Sequence, residues 1–137
     1  MSALRTAKYP LQFLTANDWI LITDKAARVT FKRNERLIGR GAQLQTLYLL
    51  IKGTATVSIL GKTIAHIGPG EVCGEMAFLE SSFASATVIA DDEVESYAVE
   101  WAILADLFQL FPHLASRFYR SLAVNLSRRL REQIASK

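Results

Sequence analysis

Gly74-Glu75-Met76-Ala77-Phe78-Leu79-Glu80-Ser81-Ser82-Phe83-Ala84-Ser85-Ala86-Thr87-Val88 is the stretch on which the reading of this chain turns. Gly74 suits a tight turn. Glu75 then sets a carboxylate at the first turn of a short apolar helix, where unpaired backbone amides favour an anion. Ser81, Ser82 and Ser85, with those amides, form a candidate neutral oxyanion site. The small residues Ala84, Ala86 and Thr87 lead into a strand.

The charge pattern outside this stretch is segregated. Residues 1–62 hold ten Lys or Arg against three acids, and residues 117–137 hold six against Glu132 alone. Residues 63–116 hold no Lys or Arg, but nine acids. Any permanent positive charge near residues 74–88 must therefore come from an early strand, the last helix or a second subunit. The net charge of +3 is too small and too segregated to point to nucleic acid.

A chain of 137 residues suits one domain, and half of them are hydrophobic, which argues against disorder. No apolar run reaches the length of a membrane span, and no signal-peptide pattern opens the chain, so a cytoplasmic protein without membrane contact is expected. Cys73 is the single cysteine, which excludes an intrachain disulfide and a Cys-based metal cluster. With His66 and His113 far apart, no metal-ligand spacing exists, and Cys73 reads as an inert buried thiol. No Ser/His/Asp arrangement or phosphate-cradling Gly-rich loop is present, so no enzyme is expected.

Hydrophobic periodicity predicts the layout. Residues 11–26 read as a helix, with Thr15 and Asp18 as a capping box. From 28 to 99 the period shortens to two. Val29 and Phe31, Leu37 and Ile38, Leu47, Leu49 and Ile51, and Ala55, Val57 and Ile59 mark the inward positions. Gly39, Gly41, Gly53, Gly61 and Gly68-Pro69-Gly70 punctuate these runs as in an all-β barrel. Strands over 86–90 and 94–99 follow, around the acidic turn Asp91-Asp92. Helical spacing returns at Glu100, and Pro112 separates that helix from a last one running to about Ser136. Trp19 and Trp101 read as core aromatics that join helices to the barrel.

The last helix carries Leu114, Phe118, Leu122, Leu126, Leu130 and Ile134 at steps of four. Each step advances about 40° around the axis, so the two ends of the stripe face different directions. Leu122, Leu126 and Leu130 are expected in an interhelical contact, a homodimer or a docked partner protein, flanked by solvated Arg128, Arg129 and Arg131. The alternative is that all three leucines fold back onto their own barrel.

Taken in order, these features resemble the cyclic-nucleotide-binding domain family, in particular effector domains of the catabolite activator type. Residues 74–88 resemble its phosphate-binding cassette, residues 47–57 its preceding strand-turn-strand, and residues 67–75 its approach to the pocket. Residues 122–131 are similar to the dimerising helix of bacterial members. The resemblance implies a mainly β fold with flanking α: an antiparallel jelly-roll barrel over 28–99, an N-terminal helical part over 1–27 and C-terminal helices over 100–137. It also implies a ligand site at Gly74, Glu75, Met76, Ala77, Ala84, Ser85, Ala86 and Thr87, with Glu75 accepting from a ribose hydroxyl. Capping by Glu75 remains an equal alternative.

The family places an arginine where this chain has Ala84. A guanidinium answers a phosphodiester with two parallel charge-assisted bonds, and alanine replaces no part of that. Binding of a cyclic nucleotide is therefore expected to be weak or absent. Phe83 is expected to fill the pocket mouth. The function that follows is a non-enzymatic regulatory module acting through its last helix. The alternatives are a working cyclic AMP, cyclic GMP or other small-ligand sensor with non-standard contacts, and the effector part of a longer transcription regulator. Operator recognition would need a further helix-turn-helix, so no direct nucleic-acid contact is expected from these residues.

Overall fold

A computed structural model describes residues 7–135. Thr15 pins the first helix, α1 (Ala16–Asp24): its hydroxyl accepts from the Asp18 amide, and the Asp18 carboxylate accepts from the Thr15 amide. The helix is shorter than the expected 11–26 because residues 9–13 spend their backbone groups elsewhere. Asn125 donates to the carbonyls of Tyr9 and Pro10, and the Phe13 amide donates to Ser121.

Eight strands follow: β1 (Ala27–Phe31), β2 (Arg36–Ile38), β3 (Thr46–Lys52), β4 (Ala55–Ile59), β5 (Lys62–Ile67), β6 (Val72–Cys73), β7 (Thr87–Ala90) and β8 (Val94–Glu100). A short helix, α2 (Glu75–Glu80), lies between β6 and β7. The strands form two four-stranded antiparallel sheets, ordered β1-β8-β3-β6 and β2-β7-β4-β5. This is the antiparallel jelly roll with flanking helices that the family resemblance implies. Gly53 turns β3 into β4 at φ +85°, where a Cβ would meet the Glu93 carbonyl oxygen at 2.3 Å, so glycine is required there.

The chain ends in α3 (Trp101–Leu110) and α4 (Pro112–Ala135), with Pro112 in the first turn of α4 as expected. The expected end near Ser136 lies outside the described residues. Among the described residues, no helix is long and apolar enough to cross a membrane.

Two hydrophobic cores result. One fills the barrel with Leu37, Ile38, Leu50, Ala55, Ile67, Cys73, Ala84, Val88, Ala90 and Val94. The other joins barrel wall to helices through Leu47, Leu49, Val72, Val99, Leu104, Leu114, Phe118 and Leu122. Strand β3 divides between them: Leu47 and Leu49 face the helices, while Leu50 faces the barrel interior. The alternation of β3 was therefore legible, but its face was reversed. A register shift between Leu50 and Lys52, opposite β8, lets one strand serve both layers.

Phe78 of α2 ties the cassette to the helical layer. Its ring lies edge-on to Trp101 at 5.7 Å and to Phe118 at 6.2 Å, and is stacked with Tyr119. Trp101 packs partly buried against the helical core, as a core aromatic should. On α4, Leu122 is buried in its own chain rather than presented to a partner. Leu126 is half-buried, and Leu130 and Ile134 are 58% and 63% exposed. The stripe winds away from the barrel as its step of four requires.

Candidate functional site

The turn from β6 into α2 is made by Gly74 at φ +90°, with the Thr46 carbonyl 3.3 Å from where a Cβ would stand. That turn directs α2 over one end of the barrel and leaves a cavity of about 270 Å³. Of the residues singled out in the sequence, Gly74, Glu75, Met76, Ala77, Ala84, Ser85 and Ala86 line it. Thr87 does not; its hydroxyl accepts from the Arg40 amide at 3.1 Å and serves the fold.

Most of the remaining lining is apolar: Ile38, Leu44, Val57, Ile59, Ile67 and Val88 are its larger members. Ala84 is buried among the barrel-core residues. Its amide donates to the Ala42 carbonyl and its carbonyl accepts from the Gly41 amide, so the loop is sealed on both sides. Phe83 is 63% exposed and outside the lining, contrary to its expected place at the mouth. Ser81 and Ser82 lie at the C-terminal end of α2, the negative end of its dipole, and also miss the cavity. The expected three-serine oxyanion site reduces to Ser85.

Glu75 is half-buried as a residue, but its Oε2 is shielded from solvent and has no hydrogen-bond partner. Burial raises its carboxyl above the usual range; its own backbone amide and Arg129 work against this, and Glu71 adds to it. Cys73 is buried in the cavity wall, as expected of it, and burial pushes its thiol well up. No group of His, Cys, Asp and Glu among the described residues is arranged to hold a metal.

Arg129 is the residue that sequence reasoning misplaced. It was expected to stay solvated beside Arg128 and Arg131, yet its side chain is only 28% exposed and it lines the cavity. Its Nη2 lies 3.8 Å from Glu71 Oε2, an ion pair beyond hydrogen-bond length. Its guanidinium also covers the Tyr9 ring at 4.4 Å. The signal was present in the charge map: acids at 71 and 75 had to draw a counter-cation from outside residues 63–116, and the last helix was one of the sources named. Glu71 is fixed in turn by accepting from the Gly68 amide at 2.9 Å.

The comparisons agree with this geometry. The family model described as the cyclic nucleotide-binding domain matches residues 28–110. Cyclic GMP-binding protein C of Dictyostelium discoideum is 31% identical over 137 residues, covering 88% of this chain and 5% of that protein. Glutaminase 2 of Bradyrhizobium diazoefficiens is 37% identical over 101 residues, covering 73% of this chain and 16% of that protein. The solved structure of the Thermus thermophilus catabolite activator protein superposes with a TM-score of 0.74 at 29% identity, covering 90% of this chain and 58% of that one. The chain thus spans a small part of these curated relatives. With the barrel, the glycine-led turn and the α2 cassette all in the matched segment, the chain belongs to the cyclic nucleotide-binding domain family.

Proposed function

We propose that this chain is a non-enzymatic regulatory module in which cyclic nucleotide binding is weak or absent and whose output runs through α4. One observation carries the reading. The residue at the position the family resemblance gives to the phosphate-binding arginine is the buried Ala84, and the Arg that lines the cavity, Arg129, lies 3.8 Å from the Glu71 carboxylate, which offsets its charge. A phosphodiester entering there gives up its hydration without meeting a free positive charge. Calorimetric titration with cyclic AMP and cyclic GMP tests this. Affinity is expected to be about a hundredfold or more below that of an arginine-containing relative. Micromolar or tighter binding would contradict the proposal.

A second reading, a working sensor for a different ligand, is favoured by the cavity itself, which stays open at about 270 Å³ beside Ala84.

Output through α4 rests on its exposed apolar end. Leu130 and Ile134 face solvent where a lone surface helix gains nothing from them, and half-buried Leu126 continues the stripe. Two-fold pairing uses one patch on both subunits, so a homodimer is the expected assembly. Sedimentation should find a dimer that Leu130→Asp disrupts, with Leu126→Asp acting in the same direction. A wild type that stays monomeric at high micromolar concentration would remove the dimer. A dimer untouched by either substitution would move the interface elsewhere.

A further inference from the structure

Two apolar faces stay exposed on the helices, and they carry opposite charge. On α2, Met76, Leu79 and Glu80 stand at i, i+3 and i+4, so they share one side of the helix, and all three are exposed. Phe83 is exposed in the loop that follows. On α4, Tyr119, Leu126, Leu130 and Ile134 fall within about 80° of one another around the axis. Leu126 is half-buried and the other three are exposed. Phe78 stacks on Tyr119, which brings α2 beside the first half of this stripe.

The charges on the two faces are complementary. Both α2 and α3 lie in residues 63–116, which hold nine acids and no Lys or Arg. Glu80, Glu100 and Asp106 are exposed there, the latter two in the stretch whose Trp101 and Phe108 touch Phe78. At the far end of α4, exposed Arg128 and Arg131 flank Leu130. Among the described residues, none of these five charged groups forms an ion pair. Parallel pairing of two α4 helices would set Arg128 and Arg131 against their own copies, a like-charge contact. Antiparallel pairing opposes the helix dipoles and carries each basic end toward the acidic α2 side of the other chain.

We infer that the outer face of α2 receives the C-terminal end of α4 from a second copy of this chain, with the two α4 helices antiparallel. Leu130 and Ile134 then meet Met76 and Leu79, and Arg131 meets Glu80. The inference rests on the reading that α4 mediates a homodimer, and it names the surface that α4 meets and the direction of approach.

Sedimentation of charge-reversed full chains tests it, each variant verified as folded by its thermal melt. Glu80→Lys and Arg131→Glu should each weaken the dimer about tenfold at low salt, since each contact occurs twice in a two-fold dimer. The double variant should recover most of the loss, and added salt should shrink all of these differences. Leu79→Asp should weaken the dimer at least as much as either reversal. Direction is read by mild oxidation. A Leu79→Cys chain mixed with an Ile134→Cys chain should form a disulfide between them, whereas Ile134→Cys alone should not link to itself. Efficient self-linking of Ile134→Cys overturns the inference, as does a double variant that recovers nothing. A dimer broken by Leu130→Asp but indifferent to Glu80→Lys and Leu79→Asp removes the α2 surface alone and leaves output through α4 standing. A wild type that stays monomeric removes the homodimer and this surface together.

Discussion

An Ala84→Arg variant should bind cyclic AMP about a hundredfold more tightly than the wild type. The backbone at this position is already held by Ala42 and Gly41, and the residue lines the cavity, so a longer side chain enters that space without rebuilding the loop. The change adds a second guanidinium to a site where one now answers two carboxylates. A hydrogen bond to a charged group contributes about 1.5–3 kcal/mol net, and a hundredfold corresponds to about 2.7 kcal/mol, so one bidentate contact suffices. Calorimetry on the wild type and variant reads the difference directly. A folded variant with no gain in affinity would show that closure of the loop, rather than the missing charge, limits binding.

Asp18→Ala is expected to lower stability by about 2 kcal/mol, read as a shift of the urea midpoint at unchanged slope. Asp18 is 2% exposed and does two jobs. It closes the capping box of α1 with Thr15, and it accepts a bidentate pair from Arg117 at 2.6 and 2.8 Å, which clamps α1 to α4. The figure stays below that of a fully buried pair because Arg117 keeps partial contact with solvent. The hydrogen bonds from Arg117 hold the Asp18 carboxyl below its ordinary value, against the effect of burial. Its stabilising effect is therefore complete above the unfolded value of about 3.9 and is lost as pH falls through the folded one. Glu75 has the opposite sign: its carboxyl is raised by burial, so its contribution is present at low pH and is lost as pH rises through the folded value. Denaturant titrations from acid to neutral pH should thus show the Asp18→Ala deficit shrinking below about pH 4.

The fold was legible because its signals are local. Period-two runs, the Gly68-Pro69-Gly70 turn and the Gly74-Glu75 start of the cassette each depend on a few neighbouring residues, and the strands and α2 fall where those signals lie. The start of α1 was misread although its cap was recognised. Thr15 marks the first turn, but what pulls residues 9–13 out of the helix is Asn125 and Ser121, more than a hundred positions away. The face of β3 was misread for a related reason. Alternation shows that Leu47 and Leu49 share a side, but not that the helices cover that side. At the site, Gly74, Glu75 and Ala84 were singled out from the local cassette pattern and line the cavity, while Arg129 and the exposure of Phe83 depend on how α4 and the cassette lie against the barrel.

The barrel interior and the helical layer keep separate buried side chains and meet mainly at the shared wall of β3, β6 and β8. Opening need not be all-or-none when two such units are joined by one wall. The clamps on the helical side, Asp18 with Arg117 and Asn125 with the Tyr9 and Pro10 carbonyls, run between α4 and the chain before β1, and leave the barrel's own ladders alone. A fluctuation that peels α4 away carries Arg129 with it and leaves Glu71 and Glu75 behind without their cation. The repulsion between those two stranded carboxylates then works against any such excursion. The charge arrangement around Arg129 thereby helps to keep α4 seated on the barrel.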